Sequence, residues 1–245
     1  MRRVSPLRVM GCPCLPFGSV QDGRAYMEEL LADGASHFSV AINAEKILKY
    51  REDGAFRAVV EDSRLTTPDG SGAVLALRWL HGASAVKLDL PRTALEVANE
   101  RQLPVFVLGA RPDVNEAACR TIAERYPRIH LVGRQDGYFT DEDQVIRTIA
   151  ERAPRIVLLA MGSPKQENFA HRAAARTRGI LFVGAGGALD ILAGRISRAP
   201  AFMVENHLEW LYRLVKEPRR IRRQARLPGF FLSLLAEKMG WRSPP

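Results

Sequence analysis

Ile180-Leu-Phe-Val-Gly184-Ala-Gly-Gly187-Ala-Leu-Asp190 is the stretch on which the reading of the fold turns. A short apolar run rich in β-formers meets Gly184, Gly186 and Gly187 and then a helical pattern, Ala188, Leu189, Ile191 and Leu192. That order spells a strand, a tight turn and a helix N-terminus. Glycines let a backbone approach a ligand closely, and the N–H groups of a helix start favour an anion such as a phosphate. A βα turn that needs glycine only for its own geometry leaves the same letters, so alone the stretch supports both readings.

Working outward, the same grammar repeats. Residues 104–109, 129–133, 155–162 and 179–184 are apolar runs ending in glycine, and each reads as a strand buried on both faces. Helical patterns at 114–126, 142–152 and 166–177 lie between them. Strand, glycine, helix, strand at a spacing of roughly 25 residues predicts an α/β chain with a Rossmann-like parallel sheet and flanking helices. Ligands of such sheets bind beyond the C-terminal strand ends, where Gly109, Gly133, Gly162 and Gly184 fall. Upstream, a helix is expected at 24–32, a strand at 37–42 closing at Asn43, and a helix at 44–51. A short segment at 57–61, a polar loop at 65–72 and a helix at 73–80 complete this part. The first 20 residues show no clear period.

The 245 residues can bury one sizeable core with a small appendage. We divide the chain into a sheet domain, residues 1–203, and a basic, amphipathic C-terminal appendage, residues 204–245. Hydrophobic content of 47% and charged content of 26% suit a soluble globular protein. The formal charge of +9 is uneven, because Arg213, Lys216, Arg219, Arg220, Arg222, Arg223 and Arg226 crowd around a single acid, Glu217. Such a tail suits a polyanion, either nucleic acid or an anionic membrane. Leu208, Trp210, Leu211 and Leu214 stand at helical spacing before it. The apolar run 227–235 after it suggests an interfacial segment, with arginines on lipid phosphates and Phe230, Phe231 and Leu232 in the bilayer. Cys12, Cys14 and Cys119 make no disulfide framework or zinc spacing and read as reduced thiols. No run approaches the ~20 apolar residues of a membrane span, and no signal peptide is evident. A cytoplasmic location is expected.

Four local features bear on chemistry. Asp69, in Pro68-Asp-Gly-Ser-Gly72, is either a turn residue or a general base that takes a proton from an acceptor hydroxyl. Ser163-Pro-Lys-Gln166 reads as a capping box, with Ser163 at N-cap and Gln166 answering it. Asp141-Glu-Asp143 resembles a short metal-holding acidic pattern but reads better as acids at a helix N-terminus. The five histidines are scattered, with His130 in a strand, and no metal site or Ser/His/Asp triad is indicated.

Taken together, several stretches resemble the WecG/TagA/CpsF family of bacterial glycosyltransferases. They are Asn43-Ala-Glu-Lys-Ile-Leu, Asp69-Gly-Ser-Gly, Val132-Gly-Arg-Gln-Asp-Gly-Tyr-Phe139, Ala160-Met-Gly-Ser-Pro-Lys-Gln-Glu167, Gly184-Ala-Gly-Gly-Ala-Leu-Asp190, Arg198-Ala-Pro200, Leu208-Glu-Trp-Leu-Tyr-Arg213 and Glu217-Pro-Arg-Arg. They run in order over residues 35–227 and look most similar to the branch using UDP-N-acetylmannosaminuronic acid. The resemblance implies an inverting, metal-independent transfer of an N-acetylhexosamine-type sugar from UDP, with no cofactor. The acceptor would be a polyprenyl-diphosphate-linked sugar at the inner face of the cytoplasmic membrane, in surface polysaccharide synthesis. By the same resemblance Asp69 would be the base, and Asn43 and Gln166 would line the sugar and acceptor pocket. Tyr138 would stack on uracil and Asp190 contact it. Gly109 and Gly184 to Gly187, Gly186 included, would surround the ribose and diphosphate. Arg213, Arg219, Arg220 and Arg223 would reach the lipid diphosphate. The chain departs from the family pattern at Ala41, where threonine is usual. It departs again at Ser84 and Lys87, where a basic residue and a glycine usually precede the Asp-Leu pair.

Two other classes share parts of this pattern. A nicotinamide oxidoreductase should carry Gly-x-Gly-x-x-Gly in its first βα unit, which Gly109-Ala-Arg does not supply. A nucleic-acid-binding tail should interleave aromatic with basic residues, whereas here they mostly follow them, so no nucleic acid is expected. The oligomeric state stays open, a homo-oligomer included.

Overall fold

A computed structural model of the chain describes residues 4–196, Met203 and residues 227–241. A six-stranded parallel sheet runs through it, in the order β4-β3-β8-β7-β5-β6. The strands are β3 (His37–Ile42), β4 (Leu65–Pro68), β5 (Pro104–Gly109), β6 (His130–Gln135), β7 (Ile156–Ala160) and β8 (Leu181–Gly184). Their unbroken apolar runs follow from helices on both faces. Alternate residues serve opposite cores, Phe106, Leu108, Val157, Leu159 and Phe182 in one, and Val105, Val107, Ile156, Leu158, Leu181 and Val183 in the other.

The first core takes α2 (Ala44–Glu52), α3 (Gly54–Asp62), α4 (Ser71–His81), α7 (Glu142–Arg152) and α8 (Lys165–Arg176). The second takes α1 (Val20–Ala32), α5 (Leu90–Arg101), α6 (Pro112–Arg125) and the short α9 (Ala188–Leu192). The N-terminal residues form a hairpin, β1 (Leu7–Val9) and β2 (Cys12–Cys14), around Met10-Gly11, both at positive φ as a two-residue hairpin turn requires. It packs on α3 and α4, and its cysteines enter the first core, where burial pushes the Cys12 thiol up to about 12.

Several expectations need correction. The segment at 57–61 is the centre of α3, and the loop at 65–72 begins with a strand. Leu65, Thr66 and Thr67 pair in parallel with Ser39, Val40 and Ala41 and are buried, and Leu15 N–H covers the outer side of the strand at Thr66 O, 2.7 Å. Only Asp69 and Gly70 remain as loop. β6 is not buried on both faces; it is the far edge strand, with His130 and Arg134 exposed.

The C-terminal helix, α10 (Leu227–Lys238), overturns a third expectation. Phe230 is fully buried instead of being offered to a bilayer, and it joins the first core with Leu234. Gly72 lies beneath its ring, with Ala44 on the other contact of Gly72, and Glu237 one turn beyond Leu234 accepts from Met10 N–H at 2.9 Å. Phe231, Leu232 and Leu235 face outward. No helix among the described residues is long and apolar enough to cross a membrane.

Candidate active site

All six strands are parallel, so their C-terminal ends bring the candidate residues to one edge. β3 and β4 are in register, with Ile42 opposite Pro68, and Asp69 N–H donates to Ile42 O at 2.6 Å. The next residues, Asn43 and Asp69, therefore stand side by side. Asn43 caps α2, its Oδ1 accepting from Lys46 N–H at 3.0 Å. Asp69 carries a carboxylate 43% exposed, with Lys87 Nζ at 3.9 Å from Oδ1. Lys87 thus places a cation beside the candidate base from a loop the sequence did not connect with it.

Gln166 makes no capping box. The N-cap of α8 is Pro164, with no side-chain cap, and the Gln166 side chain is buried. It lies against Gly184, where an added Cβ would come 2.8 Å from Gln166 Nε2. Nε2 donates to Glu167 Oε1 at 3.3 Å, and Lys46 Nζ donates to the same oxygen at 2.7 Å. Lys46 and Glu167 were missed in the sequence. Both lie inside the motifs Asn43-Ala-Glu-Lys46 and Lys165-Gln-Glu167 but carry no assigned role there, although a lysine in a first helical turn opposes the dipole and is a usable signal.

The glycine loop after β8 uses its amides within the protein. Gly184 N–H donates to Ser39 Oγ at 3.1 Å, and Ala185 and Gly186 N–H both reach Leu159 O, at 2.7 and 3.3 Å. Gly187 is the N-cap of α9, a helix of five residues carrying Asp190 and packed on α6.

At the ends of β5, β6 and β7 the surface is made of backbone. Gly109 has φ +112°, and a Cβ there would sit 2.4 Å from Ala160 O, so only glycine fits. Ala110 N–H donates to Ala160 O at 2.7 Å, and Gly137 N–H to Ala110 O at 2.9 Å. Asn115, fully buried, ties these ends together from α6, its Nδ2 donating to Gly109 O at 2.9 Å and Gln135 O at 3.0 Å. Asn115 is a third residue the sequence reading missed, hidden among helical letters. Tyr138 projects beside them, 72% exposed. Lys165, at the start of α8, holds its ammonium over the Phe139 ring.

A cleft of about 430 Å³ opens between β6 and α7, lined by Phe106, Gln135, Tyr138, Thr140, Gln144 and Arg152 among others. It touches the candidate site only at Tyr138 and holds neither Asp69 nor Gln166. The acids of Asp141-Glu-Asp143 have structural partners. Asp141 caps α7, Glu142 pairs with Arg172 at 2.6 Å and Asp143 pairs with Arg176. Among the described residues no group of three His, Cys, Asp or Glu could hold a metal ion. Arg213, Arg219, Arg220 and Arg223 lie outside the described residues.

The site therefore has two parts, a carboxylate with neighbouring amides at the ends of β3, β4 and β8, and a backbone shelf with an exposed aromatic ring at the ends of β5 to β7. The family model described as the glycosyl transferase WecG/TagA/CpsF family matches residues 8–244.

Proposed function

The chain belongs to the WecG/TagA/CpsF family and is a glycosyltransferase of polysaccharide biosynthesis, and from that premise we propose its donor, acceptor and chemistry. The donor is a UDP-activated N-acetylhexosamine-type sugar, N-acetylmannosamine or N-acetylmannosaminuronic acid, the latter favoured by the motifs of the matching branch. The acceptor is a polyprenyl-diphosphate-linked sugar, met as a peripheral protein on the inner face of the cytoplasmic membrane. The observation that carries this reading is the juxtaposition of Asn43 and Asp69 on paired strand ends, with Gln166 seated over the neighbouring Gly184.

The reaction is a single displacement. The acceptor hydroxyl attacks the anomeric carbon on the face opposite UDP, Asp69 takes the hydroxyl proton, and the carbon–oxygen bond to UDP breaks with its electron pair leaving on the diphosphate. The configuration inverts, and no metal or other cofactor takes part. Asn43 and Gln166 hold sugar hydroxyls or the acetamido group in line with Asp69, a contribution of orientation. Tyr138 stacks on the uracil, Asp190 contacts it, and the Gly109 shelf with Gly184, Gly186 and Gly187 borders the ribose and diphosphate. Three amides of that glycine loop are already occupied, so close approach rather than N–H donation is what it offers. Arg213, Arg219, Arg220 and Arg223 supply the cations for the acceptor diphosphate. Exposed Leu75 and Trp79 of α4 and Phe231 and Leu232 of α10 support contact with lipid.

Calorimetry with UDP, ADP and NAD, with and without EDTA, and flotation with anionic vesicles test the reading together. UDP should bind best, indifferent to EDTA, and the protein should float in a salt-weakened manner. Preference for NAD, or UDP binding abolished by EDTA, overturns the donor reading; failure to float overturns the membrane partner.

A further inference from the structure

Lys46 stands at the third position of α2 and Glu167 at the third position of α8, both buried. The lysine opposes the dipole of its own helix, and sites that break a local rule in this way are where function is to be sought. Its main-chain N–H is taken by Asn43 Oδ1 and its ammonium by Glu167 Oε1, which also accepts from Gln166 Nε2. One residue thus touches both the Asn43 cap and the support of Gln166.

The pair also has reach. β3 and β7, which lead to α2 and α8, are not neighbours, because β8 lies between them. The ion pair spans two strand spacings, on the order of 10 Å, across the end of β8, where Gly184 leaves the room that Gln166 fills. A buried ion pair adds little net stability over a well-packed apolar one, so stability is a weak reason for placing it here. A second observation points to a ligand: Gln166 Oε1 and Glu167 Oε2 are buried acceptors without a partner among the described residues. Unpaired buried acceptors are costly, and a hydroxyl or amide N–H brought by a ligand would satisfy one.

We propose that Lys46 and Glu167 are positioning residues whose ion pair holds the Gln166 amide with Nε2 inward and Oε1 as the acceptor for a hydroxyl or amide N–H of the donor sugar. This rests on the reading of Gln166 as a sugar-pocket residue. The test uses the full chain, UDP-N-acetylmannosaminuronic acid and a polyprenyl-diphosphate-linked acceptor. A single Lys46→Met or Glu167→Gln change strands a buried charge and can unfold the protein. The Lys46→Met/Glu167→Gln double variant removes both charges and keeps the shapes, so it should hold the wild-type Tm and bind UDP within about twofold. Its kcat/KM should fall by about tenfold to 10²-fold, the cost of a misplaced group. That loss should vanish when Gln166→Ala is already present, as expected of residues acting through one another.

Full activity in the double variant, or a loss that persists in the Gln166→Ala background, overturns the proposal. Wild-type activity of Gln166→Ala alone would instead remove the pocket reading beneath it, and the proposal with it. Exchange of the Gln166 side-chain amide protons, followed by NMR, needs no turnover and holds even if another donor proves correct. Protection should drop about tenfold in the double variant, and unchanged protection overturns the positioning role.

Discussion

The carboxyl edge of the sheet has two halves made of different material. At the ends of β5, β6 and β7 the surface is backbone, with Gly109 pressed on Ala160, Gly137 on Ala110, and one exposed ring, Tyr138. At the ends of β3, β4 and β8 it is side chain, with Asn43, Asp69 and Lys87 at the rim and Lys46, Gln166 and Glu167 beneath. Backbone recognises what is common to many ligands, a phosphate or the flat face of a base, whereas side chains set chemistry and choice among sugars. Substitutions in the two halves should therefore separate binding from turnover.

Asp69→Asn is the strongest test of that separation. It keeps the shape and removes the basicity, so turnover should fall by about 10²–10⁴ while UDP affinity is unchanged. Steady-state kinetics beside calorimetry reads both, and near wild-type turnover would reduce Asp69 to a turn residue. Phe230→Ala comes next. Emptying that buried site should cost about 3–5 kcal/mol of stability, seen as a lower denaturant midpoint. Because Phe230 rests on Gly72, two residues past Gly70 and next to Ala44, the side-chain half should loosen, with kcat falling while the folded fraction still binds UDP. Loss of UDP affinity instead would show that the halves are not independent. Tyr138→Ala is the smallest effect, about 1–3 kcal/mol of UDP affinity, the worth of a base–aromatic stack. Calorimetry should show that loss with kcat at saturating donor preserved; unchanged affinity would take the uracil away from Tyr138.

Much of this was readable in the letters because it is local. The strands β5, β7 and β8 and the bounds of α7 appear in the sequence because burial on both faces forces unbroken apolar runs and helices punctuate them. β4 reads as loop in the sequence because four residues ending in proline beside Asp-Gly-Ser-Gly look like a turn, and only pairing with β3 makes them a strand. Ser163-Pro-Lys-Gln166 has the letters of a capping box, but the pull of Gly184 and Glu167 on the amide wins over the local bond. Phe230, Phe231 and Leu232 are equally apolar, and nothing in their order says which one meets Gly72.

The sequence by itself determined the parallel α/β architecture, the edge at which the candidate residues gather, and the motifs that mark Asn43, Asp69 and Gln166. Those depend on period, on glycine and on chain order, all of which are written along the backbone. Tertiary structure alone decided that Lys46 meets Glu167 across β8, that Lys87 stands beside Asp69, and that α10 turns Phe230 inward and Leu232 outward. Each of these is a contact between segments far apart in the chain. Its energy depends on burial and distance in the folded state, for which the order of residues carries no local mark.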